Sequence, residues 1–286
     1  MLNHFTTMLS PRDSKFDVQP SELNIFHWSN VLAVDAALIA LCWQSTFALF
    51  SSHALTPVSA CVLGLSVWLT YAADRLFDVK KRSLAQLHSI RHRFTKRHAK
   101  TLWKFWFGAF FVNISIAFAG LKIHQLRNGA VLLIVCLLYT ALNQKLSSRF
   151  FPKELCVAII YAGGVIVFLL PAQNLWLPAG FLMLLCLINC LIISNNERQI
   201  DAAMEVHSIA QFLPKLPFAL YLCCILMLGI LQRQWLLPFG ASLAGLMLVH
   251  VCQKRFSIET FRIVVDNALL IGPMLTLLFV FAQKIL

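Results

Sequence analysis

The stretch from Leu55 to Asp78, LTPVSACVLGLSVWLTYAADRLFD, decides how the chain is read. From Leu55 to Ala73 it carries no charge, and Asp74-Arg75-Leu76-Phe77-Asp78 follows directly. About 20 apolar residues in a helix cross the roughly 30 Å of a bilayer's hydrocarbon, so the run reads as a transmembrane helix ending in two carboxylates. Asp74 and Asp78 are four positions apart, which puts both on one face of a continuing helix, placed to share a divalent cation.

The rest of the chain extends this reading. Its 286 residues are 59% hydrophobic and 13% charged, with mean hydropathy +0.75. A soluble domain carries about 25% charged residues, so the composition is that of a polytopic, all-α membrane protein. Nine charge-poor runs, at 30–50, 56–73, 103–121, 129–146, 155–171, 175–193, 216–231, 235–252 and 265–282, predict nine transmembrane helices. Residues 1–27 read as an amino-terminal cytoplasmic segment and 28–286 as one transmembrane domain. Arg12, Asp13, Lys15, Asp17 and Glu22 interrupt the first 25 residues, against a cleaved signal peptide.

Charge orients the spans. With loops placed alternately, 20 of the 24 Lys and Arg fall on one side, ten of them between Asp74 and Lys104. The other side receives Lys122, Arg127, Arg233 and Lys284. The positive-inside rule then predicts a cytoplasmic amino terminus, an external carboxyl terminus and a plasma-membrane location, the inner membrane of a bacterium. Ten of the twelve acidic residues share the basic side, the exceptions being Asp35 and Asp266. Trp28, Trp103, Trp176 and Trp235 sit near span ends, as rings at headgroup level do.

The net charge of +12 lies in loops beside membrane segments, where anionic lipid or an anionic substrate, not nucleic acid, is the expected counterion. The nine cysteines lie in predicted spans without a CxxC pair and read as small apolar packing groups.

A second acidic segment ends the sixth run. Glu197, Asp201 and Glu205 recur every four residues, an acidic stripe on a helix whose like charges repel. Carboxylates this close to hydrocarbon are costly without compensation, which marks both clusters as functional candidates; the bland alternative is pairing with Arg75, Lys81 or Arg82 at a helix end. If the clusters face each other, Asp74, Asp78, Glu197 and Asp201 can bind Mg²⁺ and leave coordination positions for diphosphate oxygens. Arg75, Arg91, Arg93, Lys145, Lys153 and Arg198 are the cations available to the remaining phosphate charge. His88, His92, His98 and His207 form no metal-ligand pattern.

These parts suit one reaction class. Neutralised diphosphate is a good leaving group, and an allylic tail leaves as a delocalised cation that an apolar groove shields from water. Tyr71, Phe77 and Tyr139 lie near the acidic ends, where aromatic faces can stabilise positive charge.

The conjunction of Asp74-Arg75-x-x-Asp78, Tyr139-x5-Lys145 and Glu197-x-x-x-Asp201, at the ends of spans two, four and six, resembles the UbiA superfamily of intramembrane prenyltransferases. The likeness runs through Phe151-Pro152-Lys153-Glu154-Leu155 and the Gly163-Gly164 pair. Thr70 stands where that family has Asn, Glu197 where Asp is common, and Ser89-Ile90-Arg91-His92-Arg93 has no family Arg-Pro. The resemblance implies nine helices around a central cavity, with Asp74, Asp78, Glu197 and Asp201 holding Mg²⁺. It implies diphosphate contacts from Thr70, Arg75, Arg91, Lys145, Lys153 and Arg198, with Tyr139 orienting leaving group or acceptor. The implied partners are a prenyl diphosphate, a hydrophobic or aromatic acceptor and membrane lipid.

Two other classes fit the composition. A noncatalytic scaffold that binds an isoprenoid predicts lipid copurification without diphosphate release. A transporter predicts polar residues near midplane in several spans, where the sequence offers mainly Asp35. Acceptor, tail length and oligomeric state are left open by the sequence.

Overall fold

Thr56 and Pro57 start the decisive helix. Pro at the first helical position has no amide to leave unbonded, and the Thr56 hydroxyl accepts from the Ser59 amide at 3.1 Å. The helix runs past Ala73, the end of the uncharged run, through both aspartates to Lys80. Its final carbonyls are capped by the Lys96 ammonium, at 2.8 Å from Val79 O.

The computed structural model describes residues 25–51, 53–80, 82–84, 87, 89–146, 152–172, 174–198 and 208–285. In chain order they form α1 (Ile25–Val31), α2 (Val34–Phe50), α3 (Pro57–Lys80), α4 (Ile90–Arg97), α5 (Ala99–Gly120) and α6 (Ile123–Leu146). Then come α7 (Lys153–Ile166), α8 (Trp176–Asn196), α9 (Ile209–Phe212), α10 (Leu216–Leu228), α11 (Leu236–Val251) and α12 (Ile258–Ile285). No strand occurs among the described residues.

Six helices are long and apolar enough to cross a membrane: Pro57–Lys80, Ala99–Gly120, Ile123–Asn143, Trp176–Asn196, Arg233–Val251 and Ile258–Gln283. The other three predicted runs also carry helices, but shorter ones. Val34–Phe50 and Leu216–Leu228 are apolar and short. α7 stops at Ile166, and the chain closes in turns through Pro171 where the sequence predicts continuous helix. Gln125 and Asn128 of α6 donate to the freed Phe168 and Val167 carbonyls, at 2.9 and 3.5 Å.

α8 is the axis of the bundle, with 72% of its apolar window buried in protein, whereas α5 has 0%. α5 packs on α3 through Trp106 and Asn113 and leaves the rest of its surface uncovered by protein. Trp235, read from sequence as a headgroup ring, is buried instead, stacked on Phe239 and tilted against Phe47.

Where helices break, side chains from elsewhere in the chain satisfy the backbone, as a membrane interior demands. Ala33 adopts left-handed φ (59°) and separates α1 from α2. At this break the Asn30 and Val31 carbonyls accept from Arg75 Nη1, and Leu32 O accepts from Trp68 Nε1 at 2.9 Å. Pro273 inside α12 has no amide for the carbonyl four residues earlier. That carbonyl, Leu269 O, accepts from the Trp43 indole at 3.0 Å and the Ser242 hydroxyl at 3.1 Å. One residue before this proline, Gly272 lets α12 press on α11; a Cβ there would stand 1.8 Å from the Pro238 carbonyl oxygen.

Candidate functional site

The last two turns of α3 bring Asp74 and Asp78 to one end of the bundle, on one helix face. α4 crosses this end under firm constraint. Ser89 caps it by accepting from the His92 amide at 3.3 Å, and Glu259, in the first turn of α12, accepts from the Ile90 amide at 3.0 Å. The Glu259 bond fixes the start of α12 against the start of α4. It thereby brings Arg262, one turn beyond Glu259, to Arg91, the residue after Ile90.

Glu197 meets both arginines. Arg262 Nη2 lies 2.5 Å from Glu197 Oε2, and Arg91 Nη2 lies 4.0 Å from the same oxygen. The carboxylate stands at the C-cap of α8, where the helix dipole disfavours negative charge, so two guanidinium groups supply what the helix end does not. Lys153 is the mirror case: a cation on the first residue of α7, against its own dipole, within electrostatic reach of both Asp74 and Asp78. The charge of Arg91 also acts on both aspartates, while its Nη2 lies 4.0 Å from Glu197 Oε2. Tyr139 of α6 stands within reach of Asp74 and Asp78.

His92 is packed beneath this group, its Nδ1 3.0 Å from Ser89 Oγ and its Nε2 4.0 Å from Asp78 Oδ2. Burial, then the charges of Arg91, Arg75, Arg82 and Lys153, push its pKa well below the usual histidine value. The ring is therefore neutral beside Asp78.

Other predicted site residues are engaged elsewhere. The Thr70 hydroxyl donates back to Ser66 O at 2.8 Å, within its own helix. Arg75 is buried, with Nη1 spent on the carbonyls at the α1–α2 break, although its charge still reaches Asp74. Arg198 is exposed and donates to Gln211 O at 3.3 Å, and Lys145 is exposed at the end of α6. Asp201, Glu205, His88 and His207 lie outside the described residues.

Sequence reasoning missed two features. Arg262 lies just before the predicted ninth run, among the loop cations, and only the helix observed from Ile258 places it inside a span, four residues before Asp266. Asp35 and Asp266, read as isolated exceptions, are joined: Asn30 Nδ2 donates to Asp35 Oδ2 at 2.7 Å and to Asp266 Oδ2 at 3.4 Å. Asn189 Nδ2 adds a bond to Asp266 Oδ1 at 3.1 Å. Tyr71, one turn before Asp74 on α3, lies within reach of both carboxylates, which connects this interior layer to the acidic end.

Among the described residues no group of three His, Cys, Asp or Glu is arranged to hold a metal ion. Mg²⁺ needs only one or two carboxylates when phosphate oxygens and water complete its shell, and the hard oxygens of Asp74 and Asp78 suit that role. Glu197 is instead held by arginines. A cavity of about 680 Å³ lies at the opposite end of α6, α7 and α8, lined by His124, Arg127, Asn128 and Trp176 and by none of the predicted site residues. No family model, no curated protein and no solved structure matches the chain.

Proposed function

We propose that the chain is an integral membrane prenyltransferase resembling the UbiA superfamily. It transfers a prenyl group from an isoprenoid diphosphate to an aromatic or lipid-precursor acceptor and releases diphosphate. In this reading nine helices enclose the tail, and the amino terminus and acidic end face the cytoplasm. The observation that carries it is Arg91, whose Nη2 lies 4.0 Å from Glu197 Oε2 and whose charge acts on Asp74 and Asp78.

Asp74 and Asp78 would hold Mg²⁺, with Asp201 expected to join them; the ion, when bound, offsets the charge of the departing diphosphate. Arg91 and Lys153 hold phosphate oxygens and stabilise the same charge in a site of low dielectric. The carbon–oxygen bond of the diphosphate ester breaks with its electron pair on oxygen. The allylic carbon then bonds to the acceptor, whose proton passes to the released diphosphate. Tyr139 orients the leaving group or the acceptor, and the apolar helices keep water from the cation.

The test is Mg²⁺-dependent release of inorganic diphosphate from labelled allylic diphosphates by purified protein supplied with membrane extract. Asp74→Asn and Asp201→Asn are expected to abolish release while the protein stays folded; undiminished transfer by both removes the proposed chemistry. Isoprenoid that copurifies without any diphosphate release supports a noncatalytic scaffold instead.

One observation favours a second reading. The Asp35–Asn30–Asp266–Asn189 network puts charge in the interior, as a transporter's coupling site requires. Ion-driven uptake into proteoliposomes, lost in Asp266→Asn, supports that reading against transfer.

A further inference from the structure

An arginine carries five N–H donors, and a buried guanidinium whose donors lack partners is a poor resident of a protein interior unless an anion visits it. Arg262 spends Nη2 on Glu197, but its Nε and Nη1 are buried and have no hydrogen-bond partner among the described residues. Arg91 Nε is in the same condition. The two side chains come from helices far apart in sequence, yet both approach one oxygen, Glu197 Oε2, at 2.5 and 4.0 Å. Like charges do not gather so closely of their own accord. They are held there by Glu197 from one side and by the Glu259 bond to Ile90, which clamps α12 to α4, from the other.

We infer that Arg91 and Arg262 form a receptor for a phosphate-bearing group, with Glu197 as the residue that positions them and not as a metal ligand. One carboxylate between two guanidinium groups leaves a positive balance, and the unspent N–H donors supply the directed bonds that a diphosphate oxygen accepts. Binding at this receptor needs no metal. The natural ligand's identity as a prenyl diphosphate rests on the function proposed above; the receptor itself does not. Its position at a helix end also allows a phosphate on a lipid headgroup to be the source.

The experiment measures binding of inorganic pyrophosphate, in the presence of EDTA, to the full-length protein in a zwitterionic detergent free of anionic lipid. Wild type is expected to bind, and Arg262→Gln to weaken binding by about tenfold or more, the worth of a charge-assisted bond. Arg262→Lys, which keeps the charge and loses the fork, is expected to fall between them and guards against a folding defect. Glu197→Gln is expected to weaken metal-free binding while leaving Mn²⁺ affinity unchanged. The inference is overturned if wild type does not bind pyrophosphate without metal, or if Arg262→Gln binds as wild type does. Loss of Mn²⁺ affinity in Glu197→Gln with metal-free binding intact overturns the positioning role. Binding seen only in nanodiscs containing phosphatidic acid overturns the diphosphate assignment in favour of a lipid headgroup. Pyrophosphate binding without turnover of any prenyl diphosphate leaves the receptor standing and removes the transferase.

Discussion

The indole of Trp43 donates to the carbonyl of Leu269 across 226 positions of sequence, at 3.0 Å, and it does so because Pro273 leaves that carbonyl without its helical partner. Ser242 shares the task at 3.1 Å. A proline in a membrane helix is tolerated on such terms, when side chains of neighbouring helices take up the backbone group it releases.

Trp43→Phe and Ser242→Ala should each lower stability by about 1 kcal/mol, the net worth of one hydrogen bond. The double variant should lose more than the two together, because the buried carbonyl then has no donor, a cost of about 1–3 kcal/mol. Denaturation in mixed micelles checks this; strict additivity would mean the carbonyl finds another partner.

Gly272→Ala should destabilise by about 3 kcal/mol, the upper part of the usual range for overpacking. The obstacle to the added methyl group is the Pro238 carbonyl at 1.8 Å, a piece of backbone that cannot turn aside. Gly240→Ala, with open space around its Cβ position, is the matched control and should be tolerated. Thermal melting of both proteins in one detergent makes the comparison.

His92 gives the α4 region a pH dependence whose sign follows from its burial. Its folded pKa lies below the ordinary histidine value, so below about pH 6.5 the unfolded chain takes up a proton that the native ring refuses. The His92 contribution is complete above that pH and is lost as acid is added, by at most about 1.4 kcal/mol per pH unit. His92→Gln should flatten the melting temperature between pH 6.5 and 5, whatever it costs at neutral pH.

Hydropathy made the nine apolar runs legible, because a helix that must shed water looks the same wherever it goes. For that reason it did not separate α8, enclosed by protein, from α5, which stands at the outside of the bundle, since both runs shed charge. Trp235 was misread on the same ground: a ring at a span end can turn inward as readily as toward headgroups. Leu170-Pro171 marks where helix cannot continue, since the residue before a proline avoids helical backbone, but not the stop as early as Ile166.

Of the candidate site, the carboxylates stood out by their spacing, and Arg91 and Lys153 were among the cations named for them. The jobs of those cations were not legible. That Lys96 caps α3, that Arg75 serves a helix break and that Arg262 meets Glu197 depend on which helices touch, information that no local pattern carries. The joining of Asp35 to Asp266 through Asn30 is of the same kind.

In the proposed reaction Asp74 and Asp78 hold a divalent cation beside a diphosphate. Electron paramagnetic resonance of Mn²⁺ bound to the purified protein with inorganic pyrophosphate tests this directly. Wild type should give a bound-manganese signal with phosphorus hyperfine coupling, and Asp74→Asn and Asp78→Asn should lose it while keeping their helical circular dichroism. Manganese that stays free in solution with wild type, or a coupled signal unchanged in both variants, would contradict the account.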